Sequence, residues 1–258
     1  MGGRYVGYGC GNKDGKAYLE TKTKGAKPVL VLHEVWGFTS HTIETCSKLS
    51  EAGYAAVAPL LFWRRRDLFT KKRVREAMDA VWNIPLRDRF EKNKLEGALA
   101  KARPSIEVRD LLVTLYDRRF RAGMVRDLVC LLETILRGEA GTAVIGFSFG
   151  GGLAFRLAGE SRLIRGCIAF SAEPPGIGLV KRISSPMLLL YGGDDSFTTR
   201  GVPKFVGDAL RYKKDVSVNI YAAAGHEFFD RRNGRGYEGN AAADSWEATR
   251  KFLQRVLG

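Results

Sequence analysis

The chain has 258 residues, 45% of them apolar, and a formal net charge of +14. That length is enough to bury a sizeable core, and the apolar fraction is ordinary for a soluble globular protein. No run of 18 apolar residues occurs and no apolar segment follows Met1-Gly2-Gly3-Arg4, so neither a membrane span nor a signal peptide is expected, and the cytoplasm is the default compartment.

The charge permits nucleic-acid binding or attraction of acidic substrates, and equally suits an Arg-rich surface. Gln occurs once, at Gln254, a compositional hint of a thermophilic source. The four cysteines, Cys10, Cys46, Cys130 and Cys167, form no C-x-x-C, and no histidine pair stands at zinc spacing. Cys46, Cys130 and Cys167 lie in apolar contexts and are expected as buried thiols, with a disulfide as the open alternative.

Residues 4–9 and 17–21 alternate and predict two antiparallel strands joined through Asn12-Lys13-Asp14-Gly15. Pro28-Val29-Leu30-Val31-Leu32-His33 is continuously apolar, as in a strand covered on both faces. It ends in Glu34-Val35-Trp36-Gly37-Phe38, a loop at the carboxyl end of a strand, where α/β sheets place ligands. Residues 41–52 carry Ile43, Cys46 and Leu49 on one helical face, and Gly53 ends that helix. Residues 54–58 form the next strand, stopped by Pro59.

From about 62 to 122 the composition shifts. Arg64-Arg65-Arg66, Lys71-Lys72-Arg73, Arg87, Arg89, Lys92, Lys94, Arg118, Arg119 and Arg121 interleave with Trp63, Phe69, Trp82, Phe90 and Phe120. Val74, Met78, Val81 and Trp82 share a helical face that Pro85 interrupts. Pro104 opens another helix, with Ile106, Leu111, Leu112 and Leu115 apolar. The stretch is too long for a plain crossover and is read as a helical insertion over the carboxyl edge of the sheet, a lid; a solvated excursion with no role at the site is the alternative.

Residues 127–136 form an amphipathic helix closed by Gly138. Thr142-Ala143-Val144-Ile145 is a buried strand and residues 152–158 a helix. Gly146-Phe147-Ser148-Phe149-Gly150 therefore sits where a strand turns sharply into a helix, the context of a nucleophile elbow. Such a turn holds Ser148 strained with its hydroxyl exposed, and a Cβ at Gly146 or Gly150 would crowd it. The Phe149 N–H can then face a developing oxyanion. Strands follow at 165–170, 186–192 and 216–221, and a closing helix at 241–257 puts Ala242, Trp246, Thr249, Leu253 and Val256 on one face.

Acyl transfer needs a nucleophile, a base to take its proton and an acid to orient the base. Ser148, then Asp194-Asp195, then His226 each follow a predicted strand, in the chain order of the α/β-hydrolase plan. Of three histidines only His226 lies beyond the acid. Asp194 and Asp195 are not separated by physical reasoning. The second oxyanion donor is expected from Val35, and His33 is expected to be structural. Glu34 is unusual: a carboxylate beside an oxyanion site repels the charge that develops there, so it is either turned away and hydrogen-bonded or part of the mechanism.

With these residues in view, the chain resembles the dienelactone hydrolase family (carboxymethylenebutenolidases). The resemblance spans nearly its whole length. It rests on His33-Glu34-Val35-Trp36-Gly37, Glu51-Ala52-Gly53-Tyr54 with Ala58-Pro59, Gly146 through Gly151, Gly192 through Asp195, Gly225-His226-Glu227-Phe228-Phe229, and Ala241 through Trp246. It implies hydrolysis of an enol-lactone bearing a carboxylate, as in the catabolism of aromatic ring-cleavage products. It places the acid on Asp195, the base on His226, the loop glutamate on Glu34 and a carboxylate-binding arginine on Arg64. Two departures stand out. The family's usual cysteine nucleophile is Ser148 here, so His226 must act as the base, which favours a general esterase. A second carboxylate-binding arginine falls on Asp230, with Arg231 or Arg232 nearby.

The expectation is one α/β-hydrolase domain over residues 1–258, a mostly parallel sheet with helices on both faces and the insertion near its active-site edge. The expected activity is hydrolysis of a small, anionic ester or lactone by Ser148, His226 and Asp195. Val35 and Phe149 form the oxyanion hole, Glu34 modulates, and Arg64, Trp36 and Arg231 bind substrate. No metal or organic cofactor is expected. A short-acyl carboxylesterase is the alternative, and a non-catalytic nucleic-acid binder, using the basic insertion, is disfavoured because it would leave the ordered triad idle.

Overall fold

The computed structural model describes residues 2–11, 13–81, 84, 86–89, 91–135, 141–232 and 236–258. Trp82, Pro85, Phe90, Leu136 and Gly138, and the turn residue Asn12, lie outside the described residues.

In chain order the elements are β1 (Arg4–Cys10), β2 (Lys13–Glu20), β3 (Pro28–Leu32), α1 (Ser40–Glu51), β4 (Ala55–Pro59), a short 3₁₀ turn (Trp63–Arg65), α2 (Lys71–Val81), α3 (Leu86–Arg89), α4 (Lys92–Ala102), α5 (Ile106–Tyr116), α6 (Arg118–Ile135), β5 (Thr142–Phe147), α7 (Phe149–Glu160), β6 (Ile164–Phe170), α8 (Ile177–Arg182), β7 (Met187–Gly192), α9 (Ser196–Thr199), α10 (Val202–Arg211), β8 (Val216–Tyr221) and α11 (Gly239–Leu257). The strands form one sheet in the order β1-β2-β4-β3-β5-β6-β7-β8. β1, β2 and β4 pair antiparallel in succession; β4, β3 and β5 through β8 are parallel.

The apolar runs explain the layering. Every residue of β3, β5 and β7 is buried. Successive side chains point to opposite faces, so each strand feeds two cores. Leu30, Leu32, Val144 and Leu189 join the core beneath α2 and α4–α8. Val29, Val31, Ala143, Ile145 and Leu190 join the one beneath α1 and α11. Gly53, at φ +91°, ends α1 in the left-handed conformation a side chain resists. Ser105 caps α5 by accepting the Val108 N–H at 3.3 Å, and Glu238 caps α11.

Among the described residues between β4 and β5 run the helices α2 to α6. Val74, Met78, Val81, Leu111, Leu112 and Leu115 share the main core, so the insertion is packed onto the sheet. Two residues expected on buried helical faces differ: Ile106 is 77% exposed on the opening turn of α5, and Ile43 stands partly in solvent. Cys130 also departs from its expected place as a buried thiol. α6 packs along β1, which brings Cys130 and Cys10 to a Cα separation of 5.4 Å in a disulfide; Cys46 and Cys167 are buried and free. Among the described residues no helix is long and apolar enough to cross a membrane.

Candidate active site

The carboxyl ends of β3, β5, β7 and β8 carry the residues that converge. Ser148 follows β5 directly, at φ +47° and ψ −107°. A non-glycine residue there carries strain of about 1–2 kcal/mol. Hydrogen bonds hold the turn: Ser148 N–H donates to the Phe170 carbonyl at 2.8 Å, and its own carbonyl accepts from Gly151 and Gly152. A Cβ on Gly146 would collide with the Gly150 carbonyl, and one on Gly150 with the Leu32 carbonyl, so α7 can approach this closely only with glycine at both places.

Ser148 Oγ lies 2.8 Å from His226 Nε2, and His226 Nδ1 lies 2.6 Å from Asp195 Oδ2. Asp195 is 7% exposed. The Thr198 hydroxyl bonds its Oδ2, and the Thr198 N–H reaches Oδ1 at 3.4 Å. Asp194, which only the family resemblance separates from Asp195 at the level of sequence, is exposed, with its N–H on the Ala224 carbonyl at 3.0 Å. Burial alone would raise the Asp195 pKa, but its bond to His226, that residue's charge and the Thr198 donors together hold it below the ordinary carboxylate value. Burial would likewise lower the His226 pKa; the hydrogen bond and charge of Asp195, with Glu227 and Glu34 adding, outweigh it and raise it.

The loop after β3 supplies the facing wall. Among the described residues, neither the Val35 nor the Phe149 N–H has a hydrogen-bond acceptor. His33 is fully enclosed: Nδ1 meets the Glu34 carbonyl at 2.7 Å and Nε2 accepts the Leu61 N–H at 3.2 Å. The ring is thus a neutral structural tie, its pKa lowered by burial to about 4. Glu34 is buried, with Oε1 3.4 Å from His41 Nδ1, an ion pair when that ring is protonated. Trp36, expected against substrate, donates Nε1–H to Glu227 Oε1 at 3.0 Å. Glu227 follows the base directly, and its pKa is raised by burial and by the charge of Glu34.

The two arginines expected to bind substrate are engaged by other carboxylates. Arg64 Nε and Nη2 both bond Asp127 on α6, and Arg64 lines a cavity of about 450 Å³ with Arg119, Phe120 and Arg126 that none of Ser148, Asp195 or His226 lines. Arg231 lies 3.5 Å from Glu44. A third arginine packs against the residue that follows Ser148. The guanidinium carbon of Arg121, on the first turn of α6, is 4.8 Å from the centre of the Phe149 ring, and its Nε donates to the Leu115 carbonyl at 3.0 Å. Burial lowers its pKa to about 10, so it remains a cation at neutral pH. Arg121 and Glu227 were not singled out from sequence as site residues. Glu227 had the signal of adjacency to the base; Arg121 was one arginine among many in a basic stretch.

A partly buried hydroxyl on an imidazole, an imidazole on a buried carboxylate, and two amides with unused donors make a set able to carry out acyl transfer. The profile described as the dienelactone hydrolase family matches residues 16–257. An inferred carboxymethylenebutenolidase of Saccharolobus solfataricus is 33% identical over 243 residues, covering 93% of this chain and 94% of that protein. Carboxymethylenebutenolidase 1 of Cupriavidus pinatubonensis is 28% identical over 222 residues, covering 82% and 80%. Among solved structures, an inferred dienelactone hydrolase from Klebsiella pneumoniae superposes with a TM-score of 0.72 at 16% identity, over 98% of this chain and 99% of that one, a likeness of fold alone.

Proposed function

The chain belongs to the dienelactone hydrolase family and has its α/β-hydrolase fold, and from that premise we propose that it cleaves small carboxylic esters or lactones with Ser148 as nucleophile, His226 as base and Asp195 as the group that orients it. Ser148 Oγ attacks the carbonyl carbon while His226 Nε2 takes its proton. The Val35 and Phe149 amides hold the oxyanion of the tetrahedral intermediate. As the C–O bond breaks, His226 returns the proton to the leaving oxygen. Water, deprotonated by the same ring, then attacks the acyl-enzyme, and collapse frees the acid and restores Ser148. Asp195 stays ionised throughout and balances the imidazolium.

The observation that carries this reading is the relay of 2.8 Å and 2.6 Å from Ser148 through His226 to Asp195. The preference for an anionic acyl group rests on Arg121, the cation against the residue after the nucleophile, which the opening turn of α6 carries there. Glu34 modulates the field: its charge adds to that of Asp195 and Glu227 around the base. That concentration of carboxylates is what favours the second reading, a carboxylesterase for short neutral acyl esters. One experiment addresses both. Hydrolysis of dienelactone, p-nitrophenyl acetate and p-nitrophenyl butyrate is compared for wild type, Ser148→Ala and Ser148→Cys. Loss of turnover by about 10⁴-fold or more in Ser148→Ala, with the fold intact, is expected; retained turnover refutes the nucleophile. Wild-type preference for dienelactone selects the first reading, and lactonase activity only in Ser148→Cys selects the second.

A further inference from the structure

The hydrolytic site unites two loops that the sheet keeps apart. Val35 follows β3 and His226 follows β8, and β5, β6 and β7 lie between those strands. At a spacing of about 4.8 Å per strand, the two strand ends are about 19 Å apart at sheet level. The loops must therefore arch toward each other over the strand ends, and among the described residues no sheet pairing holds them there. A side-chain bond joins them directly: Trp36 Nε1–H, one residue from the Val35 amide, donates to Glu227 Oε1, one residue from the base, at 3.0 Å. Both residues are half-buried. Indole is a donor only and cannot bond without an acceptor, so the pairing is directional.

Resting on the hydrolase reading above, we propose that the Trp36–Glu227 bond is a clasp that holds the base loop against the oxyanion loop, making Trp36 and Glu227 positioning residues of this site. The clasp has two separable parts, a tether and a charge. The tether fixes the distance between imidazole and oxyanion donor, and a misplacement of about 1 Å in such a geometry costs about 100-fold in rate. The charge acts on the imidazolium. The groups facing His226 are Asp195 from the loop after β7, Glu34 from the loop after β3, and Glu227 from its own loop. Those facing Glu227 are Glu34, Asp230, His226 and Trp36.

Three variants separate the parts. Trp36→Phe removes the donor and keeps the ring and the charge. Glu227→Gln keeps an acceptor and removes the charge. Glu227→Ala removes both. With p-nitrophenyl acetate, Trp36→Phe is expected to lower kcat about 10- to 100-fold with KM within about threefold. Glu227→Gln is expected to lower kcat less than Trp36→Phe and to move the acid limb of the kcat–pH profile to lower pH. Glu227→Ala is expected to show both effects. A rise in KM at wild-type kcat for Trp36→Phe overturns the clasp and makes Trp36 a substrate contact, and so does an acid limb that stays in place in Glu227→Gln. Circular dichroism and thermal melts confirm that each variant is folded. If the wild type hydrolyses none of these esters, the hydrolase reading fails. The clasp is then tested by NMR titration of the imidazoles of His33, His41 and His226: the His226 pKa falls in Glu227→Gln if the charge acts as stated, and an unchanged value refutes it.

Discussion

Arg64 and Asp127, 63 positions apart, lock together through two parallel bonds, Nε to Oδ2 at 2.7 Å and Nη2 to Oδ1 at 2.5 Å. This fork-to-fork geometry is the strong form of a charge-assisted pair. It ties the turn after β4 to the middle of α6. Asp127 is the more buried partner, with its side chain 6% exposed against 31% for Arg64. Removing the cation leaves a buried carboxylate uncompensated, which costs more than the pair itself contributes. Arg64→Met is therefore expected to lower stability by about 1–3 kcal/mol, discounted for the exposed part of Arg64. That is about 2–12 °C in Tm by calorimetry. KM for an anionic ester should move little. Arg121→Met should show the opposite split: KM for anionic acyl esters up by about 10- to 100-fold, as for loss of a hydrogen bond to a charged group, with neutral esters much less affected. If Arg64→Met instead raises KM for the anionic ester at unchanged Tm, Arg64 is the substrate residue.

The contrast between those arginines marks what was readable in the chain. The elbow was legible because G-x-S-x-G, an apolar β-branched run before it and a helix after it are all local in sequence. The order Ser148, acid, His226 was legible because each residue ends a strand. The choice of Asp195 over Asp194 came from the family resemblance and from no local signal, since both follow β7 and only three-dimensional packing turns one inward to Thr198 and leaves the other exposed. Arg64–Asp127, Cys10–Cys130 and Trp36–Glu227 join segments 63, 120 and 191 positions apart. No periodicity or motif encodes such a pair. Each follows from which helix lies on which strand, and that is decided by the whole core.

The relay makes activity and stability depend on pH in different windows. His226 must be neutral to accept the Ser148 proton, and its pKa is raised because Asp195, Glu227 and Glu34 outweigh the effect of burial. The kcat/KM profile should therefore fall on the acid side with a midpoint above the ordinary imidazole value of about 6.5. For stability, a raised imidazole contributes fully below that ordinary value and its contribution is lost as pH rises through the folded one. The depressed Asp195 contributes above the ordinary carboxyl value of about 3.9 and loses its contribution as pH falls through the folded one. Both terms are present together between about pH 4 and 6.5. The Tm difference between wild type and Asp195→Asn should peak in that window, below the pH of best activity. A difference that is flat from pH 4 to 9 contradicts the linkage. The same variant should lose about 10⁴-fold in kcat, because the ring is left in the wrong tautomer.

The disulfide between Cys10 and Cys130 closes a loop that contains the whole insertion. Cross-links over loops of this size remove denatured-state entropy worth about 4–5 kcal/mol by the chain-entropy account, and about 2–4 kcal/mol is typically realised. Thiol titration of the unfolded, unreduced protein should find the two free cysteines, Cys46 and Cys167. Cys130→Ser should lower Tm by about 4–16 °C. Four titratable thiols before reduction would show that the bond does not form in the protein as produced.

Two glycines two positions apart on α7 should respond to alanine with opposite sign. A Cβ at Gly152 meets nothing within 4 Å, so the substitution adds no contact and removes only the freedom glycine has in the unfolded chain. Alanine in a helix is favoured over glycine by about 0.5–1 kcal/mol, so Gly152→Ala should raise Tm by about 1–4 °C. At Gly150 the added carbon runs into the carbonyls of Leu32 and His33, which are main chain of β3 and of the loop carrying Glu34 and Val35. No flexible side chain can give way there. The helix must lift from the sheet or the loop must shift, and either motion changes the separation of the Val35 and Phe149 amides. Overpacking of this kind costs about 1–3 kcal/mol. Gly150→Ala should therefore lose both stability and kcat, and the kcat loss should persist well below Tm, where the variant is fully folded. Normal kcat in a folded Gly150→Ala protein would mean that the two amides do not act together on the oxyanion.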